Sequence, residues 1–223
     1  MSVSSSGSPS RGAGQRAGLS RELVLAAARR IADEEGVDRL TMRRLAGELG
    51  VMPNALYSYI PHKEALLDAL VDDLLADIDP GDPADGDWRD GLTRVMDSSR
   101  RLLLAHPQLV PVFLARPGLG PNAARLGEIT FRLLRRGGLE GERAVEAFRV
   151  LLIYSLGFAA FQAPRIALDN QARMERAKAT FANLPEDRFP QMRELATPLA
   201  APTTDRHYYN GLRWLLDGIS AAQ

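Results

Sequence analysis

The sequence contains no cysteine, which excludes a disulfide framework, a thiol nucleophile and a thiolate metal site. Histidine is scarce: His62, His106 and His207 are the only three, and none stands in a local pairing with a carboxylate. A glycine-rich phosphate loop, an HExxH and a GxSxG are missing too, so no enzymatic activity, metal or cofactor is expected. Net charge is absent as well, with 28 basic and 28 acidic side chains among 223 residues, and the total carries no message about a polyanionic partner. The distribution does, because residues 1–63 hold nine basic and six acidic side chains while residues 64–90 hold one and ten. The first twenty residues lack the apolar core of a signal peptide. The longest apolar-rich stretch, Val150 to Ala163, is shorter than the roughly 20 residues a bilayer span needs. These absences predict a soluble cytoplasmic protein without a membrane partner. No run alternates like a strand, so the fold is expected to be all-α.

What is present is helical punctuation. Residues 1–17 are rich in Ser, Gly, Arg and Pro and predict a disordered arm. Ser20 suits an N-cap for a first helix whose Leu23, Ala27, Ala28 and Ile31 recur at helical spacing, and Gly36 suits its end. Thr41 caps a second helix carrying Leu45, Ala46 and Leu49, and Gly50 ends it. Pro53 opens a short third helix running to about Tyr59, and Pro61 breaks it. A fourth follows from His62 to about 78, with one stripe of Leu and Val. Asp79 to Asp87 reads as a connector. Further helices are predicted at about 88–105, 107–115, 121–136, 141–163 and 204–219. Over 165–203 a polar helix at Asn170 to Ala182 competes with four prolines that favour a long irregular loop.

Residues 42–61, MRRLAGELGVMPNALYSYIP, have the spacing of a helix-turn-helix. Two steeply crossing helices need apolar residues on their inner faces, a small residue at closest approach and a turn tolerant of unusual dihedrals. Leu45, Leu49, Val51 and Leu56 fill the first role, Ala46 the second and Gly50 the third. The outer face of the third helix would then enter a DNA major groove. Asn54, Tyr57, Ser58 and Tyr59 would read base edges there, and Pro53 and Ala55 would touch thymine methyls. Thr41, Arg43, Arg44 and Lys63 would reach flanking phosphates.

The stretch from LSRELVLAAARR through GVDRLTMRRLAGELGVMPNALYSYIPHKEALL resembles the DNA-binding domain of TetR-type transcriptional regulators. More weakly, Trp88, the AHP and ARP tripeptides and Ser155 to Gly157 resemble the C-terminal domain of the tetracycline-repressor branch. The resemblance implies an all-helical homodimer gripping a pseudo-palindromic operator: a disordered arm at 1–17, a three-helix helix-turn-helix domain at 18–64, and a helical effector-binding and dimerisation domain at 65–223, joined through helix four. It implies a repressor released by a small molecule. The positions that hold a magnesium–tetracycline chelate in that branch align with Asp79, Val95, Phe113 and Ile129, so a largely apolar effector is expected instead. Its pocket is assigned to Phe113, Ile129, Phe148 and Phe161, with Ser99 and Arg116 as polar anchors. The helices near 141–163 and 204–219 are apolar on more than one face, which predicts a dimer seam built from both. The acidic DIDPGDPADGDW is interrupted by Pro80 and Gly81 and reads as a solvated linker rather than a calcium loop. The competing reading is a small-molecule sequestering protein with a vestigial DNA-binding domain.

Overall fold

Every regular element among the described residues is helical. The computed structural model describes residues 18–116, 118, 120–165 and 170–221; the arm expected at 1–17 lies outside them. In chain order the helices are α1 (Arg21–Glu35), α2 (Met42–Glu48), α3 (Pro53–Leu56), α4 (Lys63–Leu75), α5 (Trp88–Ala105) and α6 (Val110–Ala115). They continue with α7 (Pro121–Arg136), α8 (Gly141–Gln162), α9 (Asn170–Ala182), α10 (Pro190–Glu194), α11 (Ala196–Ala200) and α12 (Asp205–Ala221). They form two compact units, Met1–Asp77 with Pro111–Ala124, and Ile78–Val110 with Arg125–Gln223.

In the first unit α1, α2 and α4 each begin where a side chain can take up an orphan backbone donor, while α3 starts on Pro53 without a side-chain cap. Ser20 Oγ accepts the Leu23 N–H at 3.2 Å, Thr41 Oγ1 the Arg44 N–H at 3.0 Å, and His62 Nδ1 the Ala65 N–H at 3.1 Å. α1 buries Val24, Ala27, Ala28, Ile31 and Ala32, and α4 buries Leu66, Leu70, Val71 and Leu74 against it. Leu23, counted into the buried stripe by spacing, is half-exposed, and Val24 and Leu25 take its place one step round the helix. α3 stops at Leu56 rather than running to Tyr59. The chain tightens there, both Tyr59 and Ile60 donating to the Leu56 carbonyl, because Ile60 must turn inward and Pro61 cannot prolong a helix. Helix α4 lies wholly in this unit, and residues 111–124 return to it. Arg116 donates to Asp68 at 2.6 Å and to the Glu64 carbonyl. The Asp72 carboxylate accepts the Asn122 and Ala123 N–H groups at 3.1 and 3.0 Å, capping the first turn of α7.

The second unit is built on α5 packed against α8, whose inward positions Ala144, Ala147, Leu151, Ser155 and Ala159 are mostly small enough for close approach. Leu92, Val95 and Met96 of α5, Leu133 and Leu134 of α7, and Tyr208, Leu212 and Leu216 of α12 complete the core. The expectation that the apolar stretch around Val150 is too short for a bilayer is corrected: within the continuous 22-residue α8 it is long and apolar enough by length and composition. The region 165–203 keeps its helical alternative, since α9 spans Asn170–Ala182, and its long irregular loop is corrected, because α10 and α11 occupy much of the remaining described part. Its prolines read as breakers, yet Pro190 opens α10 and Pro198 sits in the first turn of α11, where a missing N–H costs nothing.

Candidate functional site

The turn between α2 and α3 shows why the helix-turn-helix spacing works. Gly50 has φ +65°, and beside it the Val51 N–H bonds the Ala46 carbonyl at 3.0 Å while the Gly50 N–H bonds Gly47. This pair of bonds closes α2 and aims the chain into α3, a geometry that a residue with a Cβ adopts only at a cost. Leu45, Ala46 and Leu56 are fully buried, so the crossing is close-packed on its inner side.

The outer side carries the residues assigned to DNA. Thr41, Arg43, Asn54, Tyr57 and Ser58 are exposed, and Pro53, Ala55 and Lys63 are half-exposed. From Met52 to Lys63 the sequence contains no carboxylate, so nothing on this segment repels a polyanion. Three assigned residues are already engaged, Thr41 through the Oγ1 that caps α2, and Tyr59 and Arg44 more firmly. Tyr59 is half-buried, its hydroxyl donating to the Leu19 carbonyl at 2.8 Å, which ties the start of α1 to the end of the reading segment. Arg44 is held by Glu35 at 2.5 Å and by Glu48 at 2.6 Å, and Arg30 joins Glu48 from the other side. These ties raise the Arg44 pKa and draw the Glu48 carboxyl below its usual range, through Arg44 first and Arg30 second. Arg44 thus neutralises two carboxylates beside the reading surface. Sequence reasoning missed Met52, the residue before α3, which is 76% exposed and adjoins Pro53; a large apolar side chain in a turn was the available signal.

The six assigned pocket residues fall in different places. Phe113 and Arg116 belong to the first unit, where Arg116 is taken by Asp68, and the other four belong to the second. Ile129 and Phe148 pack onto the core, Phe148 against Phe131 at 5.1 Å, and the Ser99 hydroxyl donates to the Val95 carbonyl. Phe161 is half-exposed and lines a cavity of about 650 Å³ bounded by the end of α8, by α9 and by residues 199–203.

Beside that cavity lies a polar network within the core. Arg100 is 1% exposed, donates to Gln162 at 2.8 Å, pairs with Asp97 and Asp205 at 3.1 and 3.0 Å, and stacks over Tyr208 at 4.3 Å. Burial pulls its pKa down, but the two carboxylates outweigh it and the net shift is upward. The Tyr208 hydroxyl bonds Ser155 at 3.0 Å, and burial pushes its pKa up. Outside the core, α8 leaves Val150, Ile153 and Phe161 exposed and α12 leaves Trp214 68% exposed. These helices therefore carry a second apolar face that the first one, buried in the core, does not explain.

Residues 24–70 match the family model for bacterial regulatory proteins of the tetR family, and residues 79–223 match the model for the tetracyclin repressor-like C-terminal domain. The chain is 34% identical over 219 residues to the HTH-type transcriptional repressor DrrR1 of Streptomyces coeruleorubidus, covering 95% of this chain and 80% of that protein. It is 31% identical over 205 residues to the class D tetracycline repressor of Escherichia coli, covering 90% and 89% of the two chains. In structure it is similar to the TetR family protein ActR of Streptomyces coelicolor in complex with actinorhodin, with a TM-score of 0.85 at 31% identity over 92% of this chain and 98% of the other. With two models in the expected order spanning both units, and relatives alike over nearly their whole length, the chain belongs to the TetR family of bacterial transcriptional regulators.

Proposed function

We propose that this regulator is a repressor that grips a pseudo-palindromic operator as a homodimer and releases it when a small, largely apolar effector binds the second unit. The observation that carries the reading is the carboxylate-free segment from Met52 to Lys63, held outward by the Gly50 turn. Pro53, Asn54, Ala55, Tyr57 and Ser58, with Met52 added, meet base edges and thymine methyls, while Thr41, Arg43 and Lys63 meet phosphates. Tyr59 and Arg44 act from behind, the one bracing the segment and the other silencing two carboxylates. Such a protein works where its operator is, in the cytoplasm.

Pairing through the bare faces of α8 and α12 would set two reading segments at the spacing of successive major grooves, about 34–36 Å. Release requires that the effector bind the two conformers unequally. The lever proposed is α4, which Asp72 ties to the start of α7, so that a shift of α7 would be felt along the helix behind the reading segment.

The test is mobility of genomic fragments with the whole protein. One class of fragment should be selected, with affinity falling steeply as salt rises. Tyr57→Ala should relax base preference, and Lys63→Ala should weaken binding to all sequences and flatten the salt slope by about one unit. A chain that binds no fragment selectively, or variants that act equally on specific and random DNA, would overturn the assignment.

A further inference from the structure

The cavity at the end of α8 has an unusual chemical inventory. Arg165, Arg173 and Arg176 line it, and among the described residues no carboxylate does. Among the described residues the guanidinium groups of Arg173 and Arg176 have no hydrogen-bond or ion-pair partner, and that of Arg165 meets only the Phe161 carbonyl and ring. A second concavity in the same unit shows what the fold does with arginines that are not awaiting a ligand. There Arg132 is paired with Glu128 at 2.9 Å, Arg135 with Glu140 at 2.8 Å, and Arg136 donates to loop carbonyls.

The rest of the wall is apolar in a particular way. α9 fully buries none of its residues, yet Met174, Ala177 and Phe181 share one helical face, are half-buried, and all line the cavity. The helix therefore turns its apolar stripe toward a space rather than toward protein, with Arg173 and Arg176 flanking that stripe. Gln162 adds a donor. An arginine can only donate, so Gln162 must give its carbonyl oxygen to Arg100, which leaves its NH₂ group for the cavity.

We infer that this cavity binds an apolar molecule bearing an oxyanion of the carboxylate class, with Met174, Ala177 and Phe181 against its body and Arg165, Arg173, Arg176 and the Gln162 amide around its charge. The inference rests on the effector-responsive reading above and narrows it, replacing a merely apolar effector by an amphipathic anion. The volume, about 650 Å³, suits a molecule of drug-like size. Because Gln162 is held by Arg100, occupancy bears directly on the buried network that joins α5 to the start of α12. Charge-assisted bonds to guanidinium are the strong kind, and losing two of them should be measurable against a neutral analogue of the same length.

Titration calorimetry on the full chain with decanoate and with decanol tests the idea. Decanoate should bind at least about tenfold more tightly. The double substitution Arg173→Gln with Arg176→Gln should abolish that preference while leaving decanol binding in place, and Phe181→Ala should weaken both. Equal affinity for the two molecules, or a preference that survives the double substitution, overturns the site. So does a double variant that no longer forms the homodimer, since a second copy would then be the occupant. Operator affinity with decanoate is read separately: binding with the expected preference but without operator release upholds the cavity and breaks the regulatory reading instead.

Discussion

The two units place their charges in opposite ways. The first keeps an apolar core of α1, α2 and α4 residues and sets its ion pairs outside, where Arg30 and Arg44 hold Glu35 and Glu48 in water. The second draws Arg100, Asp97, Tyr208 and Ser155 into its core and leaves Val150, Ile153 and Trp214 outside. A head that must present one fixed surface to DNA gains from a plain core and a tuned exterior charge. If the second unit takes the effector and pairs with another copy as proposed, it needs bare apolar faces, and its interior polar bonds hold particular helices in one register.

That contrast can be broken from either side, and the largest effect is expected at Arg100. Arg100→Ala takes one partner from Asp97, which keeps Arg101 and the Tyr209 hydroxyl, and removes the bonds to Gln162 and Asp205 and the packing on Tyr208 from the core. It should cost about 3 kcal/mol in urea unfolding, with little dependence on salt. A loss no larger than that of a surface pair would show that the network is not buried in solution.

Tyr208→Phe comes next, with an expected cost of about 1–3 kcal/mol because Ser155 loses its partner inside the core. It also has a pH signature. Burial raises the Tyr208 pKa above its unfolded value near 10, so the folded state holds the proton longer than the unfolded one. Stability is thus intact below about pH 10 and falls by about 1.4 kcal/mol per pH unit above it, until the folded hydroxyl titrates. Removing the hydroxyl should flatten this fall, which a urea series at rising pH would reveal.

In the first unit the effects should be smaller. Asp72→Ala uncaps α7 and should cost about 0.5–2 kcal/mol, and it should also reduce the factor by which effector changes operator affinity. An unchanged factor would remove α4 from the coupling. Smallest is Arg44→Ala, whose effect on unfolding should shrink as salt is added. Glu48 is held below its usual range chiefly by Arg44, so its contribution is present at neutral pH and is lost as pH falls through that lowered range. In Arg44→Ala the acid limb should therefore move toward that of an unpaired glutamate.

Much of this was legible in local spacing. Ser20, Thr41 and His62 mark helix starts that the structure places within a residue or two, and Ala46 with Gly50 gives the crossing and the turn. What spacing could not carry is distance along the chain. Arg44 meets Glu35 nine residues away and Arg100 meets Asp205 at a separation of 105, so neither pairing leaves a local trace. The division of the assigned pocket residues between the units was hidden for the same reason, since Phe113 and Arg116 return to the first unit through a segment whose sequence reads only as a short helix. Prolines misled over 165–203 because the same residue that ends a helix also starts one, and only the backbone tells which.

Gly120 lies where a side chain would fall inside the Asp72 carboxylate. Any side chain at that point must push the Asp72 carboxylate off the Asn122 and Ala123 N–H groups it caps, and would act as a wedge between α4 and the start of α7. If α4 carries the coupling proposed above, a side chain at that single backbone position should alter the response to effector through the Asp72 contacts alone.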